Sequence, residues 1–125
     1  MPSFLLVFLG AGLGGALRHG VNIVAAALFG TAFPVGTLFI NVAGSFAMGL
    51  LTEWFALKFD PGQHLRLLVT TGVIGGFTTF STFSLETALL VERGTIWSAA
   101  AYVLLSVVLS IGALFAGLWL VRSLA

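Results

Sequence analysis

The 125 residues are 59% hydrophobic and only 7% charged, with a mean hydropathy of +1.16, whereas a water-soluble globule carries about 25% charged residues. That balance excludes a soluble globular domain and marks an integral membrane protein. Five basic and four acidic residues leave a net charge of +1, and the absence of cysteine excludes disulfides, thiolate metal sites and thiol redox chemistry.

Four apolar stretches, 4–29, 35–57, 65–91 and 96–120, each meet the ~20 residues that a helix needs to cross ~30 Å of hydrocarbon. The predicted fold is an all-α membrane protein, one transmembrane domain over 1–125 with four helical spans and loops too short to hold a domain in water. Any function must therefore lie among the helices.

The first span is too long for the apolar core of a signal peptide and has no basic residue before it, so it reads as a retained helix. It carries Gly10-x-x-x-Gly14 and Ala11-x-x-x-Gly15, spacings that put small residues on one stripe and let another backbone approach closely. Arg18 is a charge within this span, a functional candidate by default, although a long side chain near a helix end also snorkels to the membrane surface.

Phe29 to Pro34 reads as the turn into the second span. There Thr37, Asn41 and Ser45 recur every four residues and stack on one face. Ser, Thr and Asn also link membrane helices by hydrogen bonds of about 0.6 kcal/mol each, which is reading enough for a single hydroxyl. Asn41 stands apart, because a carboxamide brings two donors and two acceptor lone pairs that must all be satisfied.

Asp60-Pro-Gly62 separates the second and third spans. The third holds the least lipid-like sequence of the chain, Gly72-Val-Ile-Gly-Gly-Phe-Thr-Thr-Phe-Ser-Thr-Phe-Ser84. Gly75-Gly76 followed by Phe77-Thr-Thr79 is the predicted place for the helix to open, near 75–79. Unwound backbone at membrane depth must find partners in protein, water or an ion, while a simple glycine kink is the alternative. Phe80 and Phe83, preceded by Phe77, repeat on one side, and ring edges turned toward a path favour an anion without formal charge. Glu86, one turn further on, either serves the path or pairs with neighbours in a vestibule.

Glu92-Arg-Gly94 closes the third span, and the fourth carries a second stripe, Tyr102, Ser106 and Ser110. Lys58, Arg66 and Arg122 fall on one side of the membrane and Arg93 on the other, joined there by Arg18 if it sits near that end of the first span. A three-to-two split gives almost no positive-inside bias, which allows dual topology and an antiparallel dimer, with orientation decided by the one extra charge as the alternative. No internal repeat is present, so inverted symmetry would have to come from a second copy. His19 and His64 have no metal-ligand spacing.

Taken together, Gly14-Gly-Ala-Leu-Arg18, Gly36-Thr-Leu-Phe-Ile-Asn41, the segment from Thr70 to Ser84 with Glu86, and Tyr102 with Ser110 resemble the Fluc family of small microbial fluoride channels. The resemblance covers essentially the whole chain. It implies an antiparallel, dual-topology homodimer in the cell (inner) membrane with two fluoride pores, passively exporting fluoride to relieve its toxicity. It further implies a structural Na+ on the two-fold axis, held by backbone carbonyls of Gly75 and Thr78 from both copies. Asn41, Phe80 and Phe83 would meet fluoride, Ser81, Thr82, Ser84 and Ser110 would form a polar track with Tyr102 near it, and Arg18 would shape a vestibule. The expected partners are fluoride, a second copy and the lipid bilayer, with no nucleic acid.

Two other classes fit a small apolar four-helix chain: a proton-coupled multidrug-type exporter and a non-transporting scaffold. The exporter chemistry expects a carboxylate in the first span, which has none. The scaffold leaves Asn41 and the hydroxyl runs unexplained. An enzyme is not expected, since no Ser/His pair has supporting motifs.

Overall fold

The computed structural model describes residues 2–124, which form helices joined by turns. A largely apolar sequence with no proline after its first residue gives α1 (Pro2–Phe29), and Pro34, which cannot continue a helix, precedes α2 (Val35–Leu57). The third span is built in two pieces. Its first piece, α3 (63–77), starts as α-helix over Gln63–Arg66, widens to a π-helix over Leu67–Ile74 and narrows again over Gly75–Phe77. The second piece is α4 (Ser81–Glu92), and α5 (Ile96–Leu124) completes the chain.

Four of these segments are long and apolar enough to cross a membrane, the third being the composite Gln63–Glu92. The protein is a multi-pass membrane protein. Trp97 and Trp119, exposed near opposite ends of α5, lie roughly 33 Å apart along the axis at 1.5 Å per residue, close to the ~30 Å of hydrocarbon between interfaces where tryptophan concentrates. Ser106 and Ser110 fall near the middle of that interval. The fourth span runs past the expected Leu120 because Arg122, in its last turn, has a partner in Glu53 of α2.

Two seams of small residues hold the helices together. In the first, α1 lies on α3, with Gly10 and Gly14 against the backbone of Leu68, Gly72 and Val73. In the second, α2 lies along α5, where a side-chain carbon at Gly117 would sit 2.5 Å from the carbonyl oxygen of Phe46 and 2.7 Å from the amide of Leu50. Contacts this close are the usual basis of helix association in lipid, where no hydrophobic drive operates between helices. Of the stripe Ala11-x-x-x-Gly15, Ala11 packs against Gly76, while Gly15 faces no neighbouring helix backbone among the described residues.

The π-helical stretch is a departure from the plain helix predicted for the third span. Gly75 donates to the carbonyl of Thr70, five residues back, and the Thr70 hydroxyl bonds the carbonyl of Arg66 at 2.7 Å. Such wide turns are uncommon and concentrate at functional sites. Gly75 and Gly76 themselves remain helical, and the opening comes at Thr78–Phe80, at the far edge of the predicted interval. The glycine pair serves packing: a side-chain carbon on Gly76 would lie 2.7 Å from the Cα of Ala11.

Candidate ion pathway at a broken helix

Thr78 takes an extended conformation (φ −81°, ψ 158°) and ends α3, while Phe80 is back in the helical region (φ −93°, ψ −34°) and leads into α4. Backbone groups at such a break lose their intrahelical partners and must be satisfied otherwise. The substitute is Asn41 of α2. Its Nδ2 donates to the carbonyl of Thr79 at 3.0 Å, and its Oδ1 accepts from the amide of Thr79 at 2.9 Å. One carboxamide thus satisfies both backbone groups of the same residue.

The Thr79 hydroxyl then accepts from the amide of Thr82 at 3.2 Å, and the carbonyl of Phe80 accepts from the amide of Ser84 at 2.9 Å, which starts the new helix. These two captures have a further effect. In a continuous helix the Thr79 amide would bond the carbonyl of Gly75, and the Thr82 amide the carbonyl of Thr78. With both amides engaged by side chains, the carbonyls of Gly75 and Thr78 have no hydrogen bond among the described residues.

Beside the break lies a groove of about 520 Å³ lined by Asn41, Gly75, Thr78, Phe80, Phe83 and Ser110, together with Ser45, Thr79 and Ser106. Four of its sequence-predicted members, Gly75, Thr78, Phe80 and Phe83, come from the broken span, and two, Asn41 and Ser110, from the polar stripes of α2 and α5. Phe80 is 77% exposed and Phe83 9% exposed, their centroids 5.5 Å apart at 53°. The hydroxyls of Ser106 and Ser110 are buried with no hydrogen-bond partner among the described residues. A groove lined by unsatisfied hydroxyl donors and an amide, beside two aromatic rings, is suited to an anion rather than to an apolar ligand.

A second cavity, of about 290 Å³, lies toward the 30–34 loop and is lined by Asn22, Thr37, Glu86 and Arg93. The Thr37 hydroxyl is buried and also unpartnered among the described residues. Because Thr37 and Asn41 are one turn apart on α2, and Glu86 and Phe83 nearly one turn apart on α4, the cavities succeed each other along the same helices. Tyr102 stands between them. Its ring meets Phe83 at 5.1 Å and Phe33 at 5.5 Å, and its hydroxyl donates to Glu86 at 3.0 Å.

The other sequence-predicted residues sit elsewhere. Ser81 and Ser84 are exposed on α4; Ser81 lies 3.4 Å from the Thr79 hydroxyl, and Ser84 bonds the carbonyl of Phe80 at 3.0 Å. Thr82 enters through its amide, and Arg18, half-buried on α1, lines neither cavity. Asn22 escaped the sequence reading, although a carboxamide inside the first span is the same signal that singled out Asn41. Thr79, the residue through which Asn41 acts, had no signal beyond its place in a hydroxyl run.

Comparison with known proteins bears on this arrangement. The family described as CrcB-like protein, Camphor Resistance (CrcB), matches residues 5–118. A protein of Granulibacter bethesdensis named fluoride-specific ion channel FluC is 58% identical over 124 residues, which cover 99% of this chain and 98% of that one. Proteins of the same name from Methylobacterium nodulans and Rhodopseudomonas palustris are 60% and 56% identical over 122 residues, covering 98% of each chain. Similarity of this extent leaves the groove and its broken helix inside the shared region, and the chain belongs to the CrcB-like family, in common with these FluC proteins.

Proposed function

We propose that the protein is a passive, fluoride-selective channel of the cell (inner) membrane that lets fluoride leave the cytoplasm. The observation that carries this reading is the groove at the broken third span, where Asn41, Ser106, Ser110 and the rings of Phe80 and Phe83 converge at membrane depth. Fluoride is small and strongly hydrated, so a pore must replace its water hydrogen bonds with amide, hydroxyl and aromatic C–H donors. Among the described residues no cationic side chain lines the groove, which favours release of the ion as well as entry. The names of the relatives, fluoride-specific ion channel, select fluoride among small anions.

The working unit in this proposal is an antiparallel, dual-topology homodimer with two pores. The near-even charge split supports it, as does a groove that is open beside Gly75 and the exposed ring of Phe80. A sodium ion on the two-fold axis suits the residues present: Gly75 and Thr78 offer two freed carbonyl oxygens, hard donors of the kind that hold sodium at unwound helices. A bound cation would supply positive potential beside the anion path. Glu86, Tyr102 and Thr37 would continue the path beyond Phe83, with Ser81, Thr82 and Ser84 on its polar flank and Arg18 toward the vestibule.

The test is fluoride efflux from liposomes containing the purified protein, with potassium permeability supplied, run beside chloride and with zero and imposed proton gradients. Fluoride release driven by its own gradient, without chloride, is the expected result. Release that requires a proton gradient would favour a coupled exporter, and no release at all would favour a scaffold.

A further inference from the structure

The third span is not broken by its glycines, which stay helical, but by two side chains that capture the amides needed to continue it. Asn41 takes the amide of Thr79, and the Thr79 hydroxyl takes the amide of Thr82. We propose that the Asn41 carboxamide and the Thr79 hydroxyl form a positioning clamp that holds the span open, keeps the Gly75 and Thr78 carbonyls free and fixes Phe80 beside Phe83. The inference rests on the channel reading for its functional consequence, and on the geometry alone for the clamp.

The chemistry favours an amide at this position. A side chain with a donor and an acceptor in one plane is suited to satisfy the N–H and the C=O of a single residue, and Asn41 does so at 2.9 and 3.0 Å. Asn41 lines the groove as well. One N–H and one lone pair of its carboxamide remain after the clamp is made, so the residue that holds the backbone can also donate to a passing ion. Thr79 is buried and its amide and carbonyl face protein, which makes an unclamped state costly: two backbone groups would be left unsatisfied away from water. Without the clamp the break is expected to loosen, letting the Thr79 amide reach water in the groove that Thr79 lines and releasing Phe80 from its place beside Phe83.

The experiment uses the full chain in liposomes, with residue-resolved amide hydrogen exchange and fluoride and chloride efflux measured on the same preparations. In the wild type the amides of Thr79 and Thr82 are expected to exchange slowly, as bonded amides do. Asn41→Ala is expected to speed exchange at Thr79 about tenfold, the equivalent of losing roughly one hydrogen bond, and to lower fluoride efflux together with its preference over chloride. Thr79→Val keeps the Asn41 bonds and should speed exchange at Thr82 while leaving Thr79 slow. It serves as the second variant should Asn41→Ala fail to fold. Two outcomes would overturn the clamp: a wild-type Thr79 amide that exchanges as freely as an exposed loop, or Asn41→Ala liposomes that lose fluoride efflux with exchange at 78–82 unchanged, which would make Asn41 an ion ligand only. Wild-type liposomes that release no fluoride while Thr79 stays protected would instead remove the channel reading and leave the clamp in place.

Discussion

Tyr102 donates its hydroxyl to Glu86 at 3.0 Å from a position with no exposed surface, between the rings of Phe33 and Phe83. The bond joins α5 to α4 between the two cavities, so it fixes the carboxylate that lines one of them by means of a ring packed on Phe83, which lines the other. Packing and polarity are separable here. The ring fills the core cluster with Leu90 and Ala99, and the hydroxyl alone sets Glu86.

Tyr102→Phe therefore keeps the aromatic stack and removes one hydrogen bond, a loss of about 1 kcal/mol. The variant is expected to assemble normally, with a melting temperature lowered by a few degrees for a domain of this size. With Glu86 released into the cavity beside Arg93, fluoride efflux should change several-fold, on the order of the factor that 1 kcal/mol represents. Equal efflux and an equal melting temperature would show that the bond constrains nothing.

Gly76 and Gly12 make a paired test of the seam between α1 and α3. A side-chain carbon at Gly76 would meet the carbonyl oxygen of Ala11 at 2.5 Å and its Cα at 2.7 Å, both backbone atoms that cannot turn aside, whereas at Gly12 none of the described residues lies within 4 Å. Gly76→Ala should cost about 1–3 kcal/mol by overpacking and shift the broken span against α1. Gly12→Ala should be neutral or slightly stabilising, because alanine is the better helix former. Thermal unfolding in detergent distinguishes them, and similar melting temperatures for the two variants would refute the close seam.

The same glycines show what sequence reveals and what it conceals. Hydropathy located all four spans because lipid imposes a minimum apolar length on each, and Gly10 and Gly14 were legible as packing positions by their spacing. Gly75-Gly76 drew the predicted break toward itself, yet glycine only permits an irregular backbone. The opening lies where Asn41, 38 residues away in sequence, reaches Thr79, a pairing without local signature. The π-helix is equally silent, since its residues 67–74 are ordinary for a membrane helix. Polar stripes on α2 and α5 were visible from their four-residue period, but which hydroxyls stay unpartnered depends on the neighbours each helix receives. Asn22 was readable and passed over.

Glu53 and Arg122 form an ion pair that closes one end of the α2 and α5 seam. The burial is unequal: the Glu53 side chain is 13% exposed and that of Arg122 61%. Removing the arginine leaves a largely buried carboxylate without its partner, while removing the carboxylate leaves an arginine free to reach water. Arg122→Gln should therefore destabilise more than Glu53→Gln, by about 1 kcal/mol or more given the cost of an uncompensated buried charge. The double variant should recover part of that loss. A thermal-unfolding double-mutant cycle reads this directly, and equal costs for the two single variants would count against the asymmetry.

Ser106 and Ser110 are hydroxyls that stability alone does not account for. Both are buried against the groove with no hydrogen-bond partner among the described residues, and an unsatisfied buried polar group costs roughly 1–3 kcal/mol. Alanine removes the oxygen at little loss of volume and raises helix propensity. Ser106→Ala and Ser110→Ala are thus expected to leave the melting temperature unchanged or raise it, the reverse of an ordinary core substitution. If these hydroxyls take the place of water around an anion, the same variants lose fluoride efflux while gaining stability, because the bond each serine lacks at rest is the one it makes to the ion. A variant that loses stability and efflux together would show instead that the hydroxyl has a partner within the protein. One that changes neither would take that serine out of the pathway.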